Sequence, residues 1–172
     1  MRRLPSFIAA VMVVLALAAC KDKPAAAAKP DEGAAFLAQN AKAPDVHVLP
    51  SGLQYKIIAS GPATGLRPKK ADEVKVHYEG RLLGPPEDRL KGDVFDSSYE
   101  GGAPRIMRPD QLIPAWTEAL QLMRPGDVWM IYVPPKLGYG DKDMGPIPSG
   151  STLIFKLELL DVLPDATSVG RG

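Results

Sequence analysis

The sequence predicts an α+β domain in which a mostly antiparallel sheet curls around one short helix. Three observations lead to this prediction: four apolar runs with strand character, one helical segment beginning at Pro114, and many turn formers between them, with 18 prolines and 16 glycines. A sheet must bury one whole face, so a single short helix can cover it only if the sheet curls around that helix. The chain of 172 residues has room for one such domain and further segments.

The first two predicted strands show the alternation of apolar and polar residues that is typical of half-buried strands. In the segment LQYKI, the residues that share one face are Leu53, Tyr55 and Ile57. In the segment VKVHY, the residues that face the core are Val74, Val76 and Tyr78. Because successive side chains point to opposite faces, His77 is expected on the face away from Tyr78.

Two more strands and a short fifth one are predicted further along the chain. The run at 128–133 is apolar on both faces and lies between Gly126-Asp127 and Pro134-Pro135. From Leu153 to Leu159 the apolar residues alternate again. The fifth strand is predicted near residues 103–107. Together these runs predict a sheet whose strands are joined by long loops.

The one predicted helix of the domain begins at Pro114. Proline suits the first helical turn, because the N–H that it lacks would be unpaired there anyway. Steps of three and four residues place Ile113, Trp116 and Leu120 on one face. The segment 124–126, Arg-Pro-Gly, is expected to end the helix.

The first twenty residues resemble a secretory leader. Two arginines precede an apolar run that is too short for a transmembrane helix, which predicts a signal peptide over residues 1–19. The sequence Leu17-Ala18-Ala19-Cys20 resembles the bacterial lipobox, in which the cysteine becomes the lipidated first residue. Cys20 is the only cysteine, and an unpaired thiol is a liability in an oxidising compartment. An ordinary leader with an incidental cysteine is the alternative.

The lipobox interpretation predicts a lipid-anchored protein of the bacterial cell envelope, with Lys21 favouring the outer membrane facing the periplasm. Residues 20–50 are expected to be a tether, since Ala, Pro and Lys cannot build a core. Within it, residues 32–43 fit either a short helix or a continuing linker. The domain itself is expected at 51–163, followed by a flexible tail at 164–172. A net charge of +1 without a basic stripe argues against nucleic-acid binding.

Six motifs follow one another between about residues 51 and 162: SGLQY, VKVHYEG, VFDSS, LIPAWTEALQLM, GDVWMIYVPPKLGYG and STLIFKLELLDV. In this order they closely resemble the FKBP-type peptidyl-prolyl cis–trans isomerases, bacterial periplasmic and surface members among them. The resemblance implies a five-stranded antiparallel sheet around the Pro114 helix, with a shallow apolar pocket between them. It also implies isomerase activity on exported proline-containing proteins, binding of macrolide inhibitors, and no cofactor.

The resemblance further implies two groups of site residues. The catalytic group is Tyr78, Phe95, Asp96, Trp116 and Tyr139, and the substrate-binding group is Met107, Leu112, Ile113, Ile147 and Phe155. It places Trp116 on the pocket floor and directs the N–H of Ile113 and the hydroxyl of Tyr139 at substrate or inhibitor carbonyls. Without the resemblance, such aromatic and apolar residues would be interpreted as the core of a small domain.

This sequence departs from the family pattern at four places. Residues 84–92 lengthen the segment before VFDSS, and their loop formers predict an insertion that folding can do without. No arginine follows shortly after FDSS to support Asp96. Met107 stands where an aromatic residue is usual, and Ser149-Gly150 where many members have Pro followed by Asn or His.

Asp96, Ser97 and Ser98, with His77, also raise the alternative of a hydrolase. The serines lie in no G-x-S-x-G turn, and His77 is expected on the far face of its strand. Asp96 and the serines are instead predicted to form a turn. His47 is too distant from His77 in sequence to predict a metal site, which would need clustered ligands. Two function classes remain open: an isomerase, or a binding module that uses the same pocket without turnover.

Overall fold

The structure of the protein is a computed structural model that describes residues 30–165. Its elements follow in the order α1 (Pro30–Asn40), β1 (His47–Val48), β2 (Gln54–Ala59), β3 (Glu73–Leu82), β4 (Val94–Ser97), β5 (Arg105–Met107), α2 (Pro114–Leu122), β6 (Val128–Val133) and β7 (Leu153–Leu163), with 3-10 turns at Pro109–Gln111 and Pro135–Leu137. The predicted leader, Cys20 and the end of the predicted tail lie outside the described residues. No helix between residues 30 and 165 is long and apolar enough to cross a membrane.

The strands form one antiparallel sheet in the order β1-β2-β6-β7-β3-β4, and β5 also pairs with β3. The longest pairing joins β3 to β7, from Glu73 opposite Leu163 to Leu82 opposite Leu153. The sheet curls so that its concave face receives α2, and the core lies between them. This arrangement confirms the predicted α+β class.

Helix α2 begins and ends where the sequence predicts. Pro114 occupies the first turn, and Ile113 is the N-cap residue, without a side-chain capping bond. Trp116 and Leu120 are buried against the sheet, whereas Ile113 is half-buried. The helix stops at Leu122, just before the predicted breaker.

The predicted core-facing residues are buried in the central strand β3, but not all of them are buried in β2, near the edge of the sheet. Val74, Val76 and Tyr78 are buried under α2. Leu53, just before β2, and Tyr55 within it pack into the same core, but Ile57 is 42% exposed. Ile57 lies beyond the two residues of β2 that β1 covers, next to a register shift, so no further strand shields it.

Helix α1 covers part of the outer face of the sheet. Phe36 and Leu37 pack on a second apolar cluster made of Leu83, Tyr132 and Ile154. At the end of the helix, the Leu37 carbonyl accepts a bond of 2.9 Å from the Gln54 amide, which also accepts one from Asn40. This cover explains why β6 is apolar on both faces. Of the two alternatives for the segment before the domain, the helix is the one present.

The expectation of five strands and one helix is wrong in detail, because residues 30–165 contain seven strands and two α-helices. The two-residue strand β1 carried no periodic signal. Strand β4 includes Asp96 and Ser97, which were predicted as part of a turn. Pairing with Gly80 and its neighbours in β3 holds them in a strand, so the turn begins only at Ser98. Tertiary pairing thus overrides the local preference of Asp and Ser.

Candidate active site

A concave pocket of about 240 Å³ opens between the curled sheet and the start of α2. It brings together nine of the ten pocket residues that the family resemblance implied, with Gln111 in addition. The lining residues are Tyr78, Phe95, Asp96, Met107, Gln111, Leu112, Ile113, Trp116, Tyr139 and Phe155. They come from β3, β4, β5, the turn before α2, α2 itself, the loop after β6, and β7.

Four aromatic rings form the floor and one wall of this pocket. Trp116 lies edge-on to Tyr78 and to Phe155, with ring centroids 5.0 and 5.3 Å apart. Phe95 lies edge-on to Phe155 at 5.5 Å. Edge-to-face contacts of this kind are favourable beyond the area that they bury, and they hold each ring in one orientation. The pocket is therefore a rigid, largely apolar surface.

Gly80 allows this aromatic wall to form, and sequence reasoning did not single it out. A Cβ at this position would lie 2.7 Å from ring atoms of both Phe95 and Phe155. Only a residue without a side chain lets the two rings pack against β3. The available signal was the glycine inside an otherwise regular strand, which marks a close approach.

The polar wall of the pocket consists of Tyr78 and Asp96. The Tyr78 hydroxyl donates a hydrogen bond of 2.6 Å to Oδ2 of Asp96. Burial first, and then the Asp96 carboxylate, raise the pKa of the Tyr78 phenol far above its ordinary value, while the positive charge of Arg105 acts in the opposite direction. The phenol is therefore a stable donor at neutral pH, and the carboxylate is held in place as an acceptor.

Several donors of pocket residues have no protein partner among residues 30–165, the buried indole N–H of Trp116 among them. The N–H of Ile113 makes no hydrogen bond, although the Ile113 carbonyl accepts those of Trp116 and Thr117. The hydroxyl of Tyr139, which is half-buried, is likewise unpaired within the described residues. Unpaired donors at an apolar pocket are available to the carbonyl groups of a ligand.

Ile147 does not line this pocket, contrary to the role that the resemblance implied. Its side chain is 6% exposed and belongs to the main core. The bonds from Met144 N–H to its carbonyl and from Gly150 N–H to Gly140 fold the loop back and turn Ile147 inward. Gln111, which replaces it in the lining, lies in the exposed turn before α2 and gave no sequence signal.

The hydrolase alternative does not fit the geometry. Nδ1 of His77 does lie 2.9 Å from Oγ of Ser98, closer than the sequence led us to expect. Ser98 is fully buried, however, and its hydroxyl is bonded to the main chain of Tyr78. No substrate carbonyl can reach such an oxygen. Across residues 30–165, no cluster of three or more His, Cys, Asp or Glu residues is placed to hold a metal ion.

A curled antiparallel sheet with an aromatic pocket over one helix defines the class of protein, and comparison with known families specifies it. A family model described as "FKBP-type peptidyl-prolyl cis-trans isomerase" matches residues 65–160. A second, described as "Domain amino terminal to FKBP-type peptidyl-prolyl isomerase", matches residues 6–57. The chain belongs to the FKBP-type peptidyl-prolyl cis–trans isomerase family.

Individual relatives agree with this assignment. The "Outer membrane protein MIP" of Legionella longbeachae is 48% identical over 132 residues, which are 76% of this chain and 53% of the relative. The crystal structure of FkpA from Escherichia coli aligns with a TM-score of 0.70 at 37% identity, covering 78% of this chain and 59% of that one. A peptidyl-prolyl isomerase structure from Pseudomonas syringae aligns with a TM-score of 0.67 at 31% identity, covering 77% of this chain and 92% of that one. The chain thus spans about half the length of the curated relative.

Proposed function

We propose that this protein is a peptidyl-prolyl cis–trans isomerase that accelerates rotation about X-Pro bonds in exported proteins. The single observation behind this proposal is the rigid apolar pocket with an ordered Tyr78–Asp96 pair at its wall. Isomerisation breaks no covalent bond, and its barrier of about 18–20 kcal/mol comes from amide resonance. Water stabilises the planar amide by bonding to its carbonyl. A pocket that excludes water removes this stabilisation and favours the twisted transition state.

Each part of the pocket has a role in this proposal. Phe95, Trp116 and Phe155 surround the pyrrolidine ring, and Met107 and Leu112 extend the apolar surface. The unpaired N–H of Ile113 and hydroxyl of Tyr139 bind carbonyls on either side of the proline and hold the peptide bent. Asp96 shapes the wall through Tyr78 and transfers no proton. The same surface is expected to bind macrolides that inhibit this family.

A protease-free assay on a proline-containing peptide tests the proposal. Wild-type protein should shorten the relaxation time, and a macrolide should abolish the effect competitively. Phe95→Ala, folded by circular dichroism, should lose about tenfold or more in kcat/KM because it opens the wall to water. If wild-type protein shows no catalysis yet still suppresses aggregation of an unfolded protein, the binding-module alternative holds instead.

We further propose that residues 1–19 are removed and that Cys20 carries the lipid that anchors the mature protein to the envelope, on the outer membrane facing the periplasm. The motif Leu17-Ala18-Ala19-Cys20 supports this. Residues 51–163 would then form the isomerase domain, with the tail at 164–172. Cys20→Ser should move the protein from the membrane to the soluble fraction without lowering its activity. Identical fractionation of wild type and variant would contradict the anchor.

A further inference from the structure

Ser98, the first residue after β4, makes two hydrogen bonds to the main chain of Tyr78 and has a third within reach. Its Oγ accepts the Tyr78 N–H at 2.8 Å and lies 3.2 Å from the Tyr78 carbonyl oxygen, to which the hydroxyl can donate. Its own N–H donates to the same carbonyl at 3.0 Å. Ser98 is fully buried, so water does not compete for these bonds.

These bonds connect with the Tyr78–Asp96 hydrogen bond at the pocket wall and form one network. The hydroxyl of Tyr78 donates to Asp96, which stands two residues before Ser98 on the same segment. One residue of β3 is therefore held at both ends by one short stretch of chain, its main chain by Ser98 and its hydroxyl by Asp96. The pairing of Gly80 with Asp96 holds the two strands in the same register.

The hydrogen bond from the Tyr78 N–H to Ser98 does not depend on whether Nδ1 of His77 carries a proton. When Nδ1 of His77 is unprotonated, the Ser98 hydroxyl can donate to it across 2.9 Å. When Nδ1 carries a proton, it donates to Oγ and the hydroxyl turns to the Tyr78 carbonyl. In both states Oγ still accepts the Tyr78 N–H, so the main chain of Tyr78 stays fixed.

We propose that Ser98 is a positioning residue for the isomerase reaction: by fixing the main chain of Tyr78, it sets the hydrogen bond from Tyr78 to Asp96 at the pocket wall. This inference rests on the proposed function. Ser97 offers a matched control, because it is buried and its Oγ accepts the Tyr99 N–H at 3.2 Å without bonding to Tyr78 or Asp96.

A double-mutant cycle tests the proposal. Ser98→Ala should lower kcat/KM on a proline peptide about tenfold, mainly through kcat, because the pocket wall is misplaced in the transition state. Ser97→Ala should stay within about twofold of wild type. The Tyr78→Phe background lacks the hydroxyl that Ser98 positions. Adding Ser98→Ala to it should lower kcat/KM by less than about twofold. A merely structural role would give equal losses in both backgrounds.

A second readout does not depend on activity. NMR of protein labelled with ¹³C at tyrosine Cζ follows the Tyr78 phenol, and Ser98→Ala should lower its pKa whereas Ser97→Ala should not. If Ser98→Ala does not fold, Ser98→Cys, which keeps the volume and bonds weakly, takes its place in both measurements. Equal losses in the two backgrounds, or an unchanged Tyr78 pKa in the folded variant, overturn the proposal. An inactive wild type would instead refute the proposed function, and the phenol titration would still decide the role of Ser98.

Discussion

The carboxylate of Glu32 lies 3.0 Å from Nη1 of Arg89, which joins helix α1 to the loop at 84–92. The same Nη1 donates to the Gly84 carbonyl at 3.1 Å, and Gly84 N–H donates to the Arg89 carbonyl at 2.9 Å. The insertion is thus a closed loop with its own hydrogen bonds and one ionic contact to α1. Leu90, its one large apolar side chain, is 46% exposed.

From this arrangement we predict that the loop at 84–92 is dispensable for folding. Replacing it with a two-residue turn should lower the free energy of unfolding by only about 1 kcal/mol, since a partly exposed ion pair is worth little and Leu90 buries little. Glu32→Gln in the intact chain should account for most of that change. Urea unfolding of both variants is the measurement, with peptide isomerisation expected to be retained. A loss several times larger would show that the loop supports the core.

The docking of α1 predicts that a Gly to Ala substitution in this helix lowers the free energy of unfolding instead of raising it. Gly33 faces the sheet, and a Cβ there would lie 2.3 Å from Oγ1 of the buried Thr152. Gly to Ala in a helix normally stabilises by about 0.5–1 kcal/mol. Here Gly33→Ala should instead destabilise by about 1–2 kcal/mol, because the added methyl overpacks the contact.

Two controls separate this clash from other effects on α1. Ala34 is exposed on the same helix, so Ala34→Gly should show only the ordinary cost of glycine, about 0.5–1 kcal/mol. Thr152→Ala removes the obstructing hydroxyl, which has no partner among residues 30–165. In that background Gly33→Ala should destabilise less than in the otherwise unaltered protein, because only the Cβ of residue 152, 3.1 Å away, still crowds the added methyl group. If Gly33→Ala stabilises the otherwise unaltered protein, then α1 does not dock on the sheet as described.

Gly80 leads to a prediction about the pocket itself. Gly80→Ala should lower both stability, by about 1–3 kcal/mol, and isomerase activity, because its methyl group displaces Phe95 and Phe155. Gly102→Ala is the control without a steric clash. A side chain at its φ of 65° is strained, but nothing lies within 4 Å of the added Cβ. Thermal unfolding and the peptide assay measure both effects. Unchanged activity in Gly80→Ala would mean that the aromatic wall tolerates rearrangement.

These residues also show how far the sequence could predict the site. Alternation placed Val74, Val76 and Tyr78 correctly, because every second side chain of a central strand under a helix must face the core. Ordered motifs located Phe95 and Trp116. What escaped was set by contacts between distant segments: the cover of Ile154 by α1, and the strand character of Asp96. Such effects leave no local periodicity, and a glycine inside a strand marks a close approach without showing which groups approach it.

The stability of the fold at alkaline pH should depend on three tyrosines with raised pKa values: Tyr78, Tyr99 and Tyr132, whose pKa is raised by burial. Burial and Asp96 raise the pKa of Tyr78, and burial and Glu158 raise that of Tyr99 to about 12. A raised folded-state pKa means that the unfolded chain releases its phenolic proton first, at about pH 10. The stabilisation is therefore complete below that pH and is lost as pH rises from 10 through the folded-state pKa.

This predicts that the free energy of unfolding, measured by urea titration at successive pH values, falls above about pH 10. Tyr78→Phe should flatten the decline more than Tyr99→Phe, because the pKa of Tyr78 is raised further. A slope that neither substitution alters would contradict the assigned causes.

The last prediction concerns the pH dependence of turnover and the role of Asp96. If catalysis depends on a dry pocket and a fixed hydrogen bond, the rate constant should stay nearly flat from about pH 6 to 8, because the Tyr78 phenol remains protonated and His77 lies on the opposite face. Asp96→Asn should cost only about twofold to fivefold in kcat/KM, because an amide oxygen still accepts the bond from Tyr78. Asp96→Ala should cost more, since it leaves the buried hydroxyl without its acceptor. His77→Ala, which keeps the Ser98 bonds to Tyr78, should be close to wild type. The protease-free peptide assay across this pH range, with each variant's fold checked by circular dichroism, gives all four results. A bell-shaped profile, or an inactive but folded His77→Ala, would mean that a titrating group takes part in the reaction and that the pocket acts by acid–base chemistry.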